Sequence, residues 1–150
     1  MEVFRRFQHR AWLTAAGVLT AVGCGSGTPF DLVPAHGKVT YEDGSLIKAD
    51  SILLAFNPAA AATGPITAPG GTARVNVSDG TFAAVTTRRT NDGIVPGVYK
   101  VVVVPFKKDG KGNPKPTTAV PAKYQKESTT TLEVEVSSSD QLIELKVSKP

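Results

Sequence analysis

From about residue 38 onward, apolar and polar residues trade places with a period of two, in short runs parted by turn residues. Val39 and Tyr41 alternate with Lys38, Thr40 and Glu42. Residues 51–56 (Ser-Ile-Leu-Leu-Ala-Phe) form a nearly continuous apolar run, suited to a central strand. Residues 73–77 alternate cleanly, and 81–85 follow after Asp79-Gly80. Residues 98–104 make the strongest strand signal, with Pro105 expected to end it. Residues 132–136 and 143–147 complete the set. In a strand, successive side chains point to opposite faces, so the Leu, Val and Ile of these last two runs face a core and their Glu and Lys face water. This periodicity predicts seven strands in an all-β sandwich, and no stretch of it carries a helical period.

The punctuation between strands is Asp-Gly, at residues 43–44, 79–80, 92–93 and 109–110. Glycine tolerates positive φ and the aspartate caps the turn through its own carboxylate. A calcium site is the competing use of clustered acids at one pole of a sandwich, but calcium takes about six to eight oxygens, usually from closely spaced acids. Each of these loops offers about one, so turns are expected. Two longer loops stand out. Residues 57–71 are rich in Ala, Pro and Gly, without charge, and are expected to move freely. Residues Lys107–Pro116 form a basic Pro/Gly-rich loop. It is suited to meet anionic partners such as lipid headgroups or acidic polysaccharide, or, as a plain solvated loop, to keep a sheet edge from aggregating.

The start of the chain is different. Arg5, Arg6 and Arg10 precede an uncharged run of small and apolar residues from Ala11 to Gly23. A positive segment, a short apolar segment and small residues at its end are the parts of an export signal. A membrane span needs about 20 apolar residues, and Gly25-Ser26-Gly27-Thr28-Pro29 interrupts this run too early. Residues Ala21-Val22-Gly23-Cys24 resemble the lipobox of bacterial lipoproteins, with Ala21 where leucine is usual. The resemblance implies that residues 1–23 are removed and that Cys24, the single cysteine, is lipidated as the new N-terminus. One acyl chain anchors only marginally, whereas a diacyl or triacyl cysteine holds a protein on a membrane for good. Gly25 and Ser26 lack the Asp that retains such proteins at an inner membrane, so an outer-membrane or periplasm-facing place is expected. Residues 24–35 then read as a flexible tether and 36–150 as the domain.

That division changes the charge. The formal net charge is +4, and losing three Arg and one Glu with residues 1–23 leaves +2. The basic character therefore lies mostly in the leader and is no argument for nucleic-acid binding. The one tryptophan, Trp12, leaves with it. No disulfide can form within the chain, so stability must come from the core.

Four phrases in order carry a second resemblance: Gly37–Gly44 (Gly-Lys-Val-Thr-Tyr-Glu-Asp-Gly), Asp79–Phe82 (Asp-Gly-Thr-Phe), Pro96–Val101 (Pro-Gly-Val-Tyr-Lys-Val) and Val120–Tyr124 (Val-Pro-Ala-Lys-Tyr). Together they resemble small exported lipoproteins of planctomycete bacteria, whose domain is similar to the carboxypeptidase regulatory-like, or transthyretin-like (Ig-like), β-sandwich. The match covers about residues 36–147 and departs after Gly44, where Ser45-Leu46-Ile47 replaces the usual Lys-Pro-Leu. It implies a fold and a location, with no catalytic unit.

The residues point the same way. His36 is the one histidine after Cys24, so His/Cys metal sites lack donors and a Ser-His-Asp triad would depend on a residue at the start of a strand. Glu133 and Glu135 share a face, but it is the solvent side of a strand rather than a glycosidase cleft. No cofactor is expected. The expected function is that of a non-catalytic envelope module, structural or protein-binding; the alternative is a module that binds carbohydrate or another envelope ligand.

Overall fold

The computed structural model describes residues 30–59, 67–137 and 141–150. Among them are eight strands: β1 (Ala35–Tyr41), β2 (Ser51–Pro58), β3 (Gly71–Val75), β4 (Thr81–Phe82), β5 (Gly97–Lys108), β6 (Pro114–Pro116), β7 (Glu133–Val136) and β8 (Gln141–Val147). The one helical piece is a 3-10 turn, Ala122–Gln125. One sheet has the order β4-β1-β8; the other runs β3-β2-β5-β6, with β7 also pairing β5. The described residues are thus nearly all β, in two sheets packed face to face.

The alternating residues build the core between them. Val39 and Tyr41 of β1, with Ile143, Leu145 and Val147 of β8, pack against Ile52, Leu54 and Phe56 of β2 and Tyr99, Val101 and Val103 of β5. Phe56 bridges the layers, with its ring centroid 6.0 Å from Phe82 in the small sheet and 6.5 Å from Tyr99 in its own. Buried tyrosines keep their hydroxyls satisfied: Tyr99 donates to Val95 O (2.7 Å) and Tyr41 to Ala119 O. The first and last strands close the small sheet by pairing in parallel, Ala35 with Gln141 through Tyr41 with Val147.

Every predicted run overlaps a strand, and four boundaries are corrected. Pro105 does not end β5, which continues to Lys108. Its carbonyl accepts from Thr117 N (2.9 Å), and since N and O of a strand residue point the same way, its nitrogen faces the β6 side. The ladder to β2 therefore loses no donor. Residues 81–85 do not form one strand. The chain leaves β4 after Phe82, buries Val85, and pairs Thr86 with Thr72 by two hydrogen bonds (2.7 and 2.8 Å), so this segment crosses from one sheet to the other. The uncharged loop starts later than expected, because Asn57 and Pro58 pair with Lys100 and Tyr99; residues 60–66 lie outside the described residues. Within the basic loop, Pro114–Pro116 form β6 against Phe106–Lys108. Contacts also begin before Ala35: Val33 and Ile94 exchange backbone hydrogen bonds of 2.8 and 3.0 Å.

Candidate interaction face

The strand register decides which side chains look outward. In the small sheet the outward residues are His36, Lys38 and Thr40 on β1, Thr81 on β4, and Leu142, Glu144 and Lys146 on β8. Lys38 pairs with Glu144 and Thr40 with Lys146 in the ladder, so this face is polar apart from Leu142. A water-facing antiparallel or mixed sheet is expected to look like this.

The five-stranded sheet is built differently. Its outward rows pair Ser51 with Phe106, Leu53 with Val104, Ala55 with Val102 and Asn57 with Lys100. β3 adds Arg74 beside Leu53 and Thr72 beside Ala55; β6 adds Pro116 beside Phe106 and Pro114 beside Lys108. The centre of this face is therefore an apolar stripe: Leu53, Ala55, Val102, Val104, Phe106 and Pro116. Leu53, Val104 and Phe106 are half-buried. Val102 is 7 % exposed yet stands apart from the inter-sheet core cluster, as its outward position requires. Two shallow clefts flank Leu53, one of ≈ 240 Å³ bounded by Arg74, Phe106 and Pro114, the other of ≈ 360 Å³ reaching Thr72 and Asn91. The rim is charged. At the start of β5, Glu133 lies beside Lys100 and Glu135 beside Val98; at its end lies Lys108.

A second feature occupies the pole where β1 ends. An open groove of ≈ 950 Å³ is lined in part by Tyr41, Lys48, Lys107, Thr117 and Lys149. Lys149 is engaged: its ammonium binds Asp43 and sits 5.6 Å over the Tyr41 ring. The ammonium groups of Lys48 and Lys107 have no partner among the described residues. This groove contains one residue of the predicted basic loop, Lys107, whereas Lys115 pairs with Asp109 at 3.5 Å.

The four Asp-Gly sequences are turns held by their aspartates. Asp43 accepts from Ser45 N and Oγ, Asp79 from Thr81 N and Oγ1, and Asp109 from the backbone N–H of Lys111 and Asn113. Asp92 accepts three backbone N–H donors, from Thr87, Arg88 and Arg89, at 2.7–3.0 Å. These donors have an electrostatic result, because a carboxylate that accepts hydrogen bonds is favoured in its charged form. The Lys149 ammonium and Ser45 hold Asp43 below the usual carboxylate range. The N–H and hydroxyl of Thr81 do so for Asp79, and the N–H groups of Asn113 and Lys111 for Asp109. For Asp92 desolvation pushes upward, and the three N–H donors outweigh it.

Of the other sequence candidates, Cys24 lies outside the described residues. His36 stands on the outward side of β1, in register with Leu142. Glu133 and Glu135 are exposed on the outward side of β7, as the alternation predicts. The apolar stripe was not foreseen as a face, although its signal was there: a run such as Ile52–Phe56 is apolar at the even and the odd positions alike. The chain matches no protein-family model, no curated protein and no solved structure.

Proposed function

We propose that this protein is a non-catalytic, lipid-anchored β-sandwich of the transthyretin-like kind, held on the cell envelope by an acylated Cys24 and acting as a protein-interaction module. The observation that carries the interaction reading is the contrast between the two outer faces, one polar and one apolar with a charged rim. Contiguous apolar surface framed by polar residues is the mark of a contact site. The proposed tether suits such a role. Residues 24–32, ahead of the Val33–Ile94 bridge, reach at most about 30 Å when extended, which keeps the domain near the membrane and confines its encounters to a thin layer. The chain joins the domain at Val33, and the basic groove lies at the far end of β1, about 20 Å beyond Ala35 for a strand of that length.

Two measurements test this reading. Intact mass with membrane fractionation checks the anchor: the mature protein should lack residues 1–23 and carry lipid, and Cys24→Ser should move it to the soluble fraction. A Cys24→Ser variant that stays equally membrane-bound overturns the anchor. A photo-crosslinking residue placed at Val104 or Phe106 should form protein adducts in cells, whereas one at Lys38 should not.

A second reading rests on the groove. The ammonium groups of Lys48 and Lys107, without a partner among the described residues, favour an anionic envelope ligand such as an acidic polysaccharide. Binding of such a polymer should weaken with salt and should be lost in Lys48→Glu/Lys107→Glu.

A further inference from the structure

We infer that the apolar outer face of the five-stranded sheet is covered by a second copy of this chain, packed face to face with its strands antiparallel. The inference rests on the interaction reading above and names the partner. Its basis is how the rim charges are laid out along β5.

Glu135, beside Val98, stands at one end of the stripe, and Lys108 stands at the other. Ten residues of strand separate Val98 from Lys108, about 33 Å at the usual rise. These two charges therefore cannot meet within one molecule. Among the described residues neither side chain has an ion-pair partner of its own. A two-fold axis lying between the sheets, across the strands and level with Val103, exchanges the two ends and preserves the left-right order of strands. It brings Lys108 of one copy over Val98 of the other, one strand to the side of Glu135, twice, and brings Val102 of one copy over Val104 of the other at the centre.

The remaining rows are compatible. Arg74, level with Val104, comes over Thr72, which is level with Val102; Lys100 comes over Phe106. No lysine meets a lysine. Sheets packed in this way lie about 10 Å apart and neighbouring strands about 4.8 Å apart, an oblique separation of about 11 Å that a glutamate and a lysine span together. A two-fold axis along the strands keeps each end over its own end, so Glu135 and Lys108 stay apart. A self-complementary patch of this kind is what an isologous dimer uses. Association through the sheet edge is less suited, since β6 presents Pro114 and Pro116, which bring no N–H to a further strand.

The test uses the full chain in the cells that make it, with a photo-crosslinking residue at Val104. The expected product has twice the mass of one chain. An adduct with a different protein or with lipid overturns the dimer while leaving the face an interaction site; the absence of any adduct overturns both readings. The geometry is checked on the purified full chain in detergent by light scattering. Glu135→Lys and Lys108→Glu should each weaken the dimer about tenfold, since two attractive contacts become repulsive in each. The double variant should regain most of the loss. A dimer indifferent to both single changes, or a double variant weaker than either, overturns the antiparallel arrangement. Phe106→Glu, at an outward position, should abolish the dimer with the circular dichroism of the fold unchanged.

Discussion

Single residues set two of the tightest constraints on this fold. Gly37 lies on β1 in register with Phe82 and Ile143. A Cβ there would come within 2.8 Å of the Phe82 ring and closer still to the Ile143 carbonyl. Gly37→Ala should therefore destabilise the domain by about 1–3 kcal/mol, the usual cost of overpacking, read as a lower urea midpoint. The aspartate turns make a prediction about pH. Asp43, Asp79, Asp92 and Asp109 all sit below the ordinary carboxylate range in the folded chain. On acidification the unfolded chain takes up these protons first, near pH 4. The stability they contribute is complete above that pH and is lost as the pH falls from about 4 through the lower folded-state values. Urea unfolding at pH 7, 4 and 2.5 should show that slope, and Asp92→Asn should flatten it. An unchanged slope in that variant would remove Asp92 from the account.

At the scale of elements, the division of labour between β2 and β5 matters most. Their inward residues form the core, and Phe56 ties both sheets together through Phe82 and Tyr99. Phe56→Ala should cost about 3–5 kcal/mol by the transfer and cavity contributions of a buried aromatic, measurable by denaturant titration. Phe106→Ala, on the outward side of the same sheet and half-buried, should cost clearly less. Most of these elements were legible in the chain. Alternation located all seven predicted runs, because a period of two is imposed by the strand itself. Asp-Gly located the turns, because the glycines at 44, 80 and 93 adopt positive φ (80°, 78° and 95°) and the aspartates find nearby N–H donors. Pro105 misled because its effect depends on which neighbour its nitrogen faces, and that is a property of the sheet. β6 was hidden for a similar reason: a three-residue segment with two prolines has little strand character until Phe106–Lys108 lie beside it.

For the whole molecule, the two outer faces differ, one polar and the other carrying the apolar stripe. If the apolar stripe is a contact surface, placing a charge within it should change association and leave folding intact. Phe106→Glu and Phe56→Ala should then separate cleanly, the first lowering association at unchanged thermal midpoint, the second lowering the midpoint. A Phe106→Glu variant that unfolds would instead assign the stripe to the stability of the fold.

What the chain determined by itself was local: the strands and the turns. Each follows from neighbours a few positions apart, whose chemistry acts through the backbone between them. The tertiary structure alone decided that β1 and β8 pair in parallel, that residues 82–86 cross between sheets, and that Leu53, Val102, Val104 and Phe106 share one outward face. These depend on register between segments tens of residues apart. A shift of one residue in that register would turn each strand over and exchange the core with the surface, so no segment read alone carries the information.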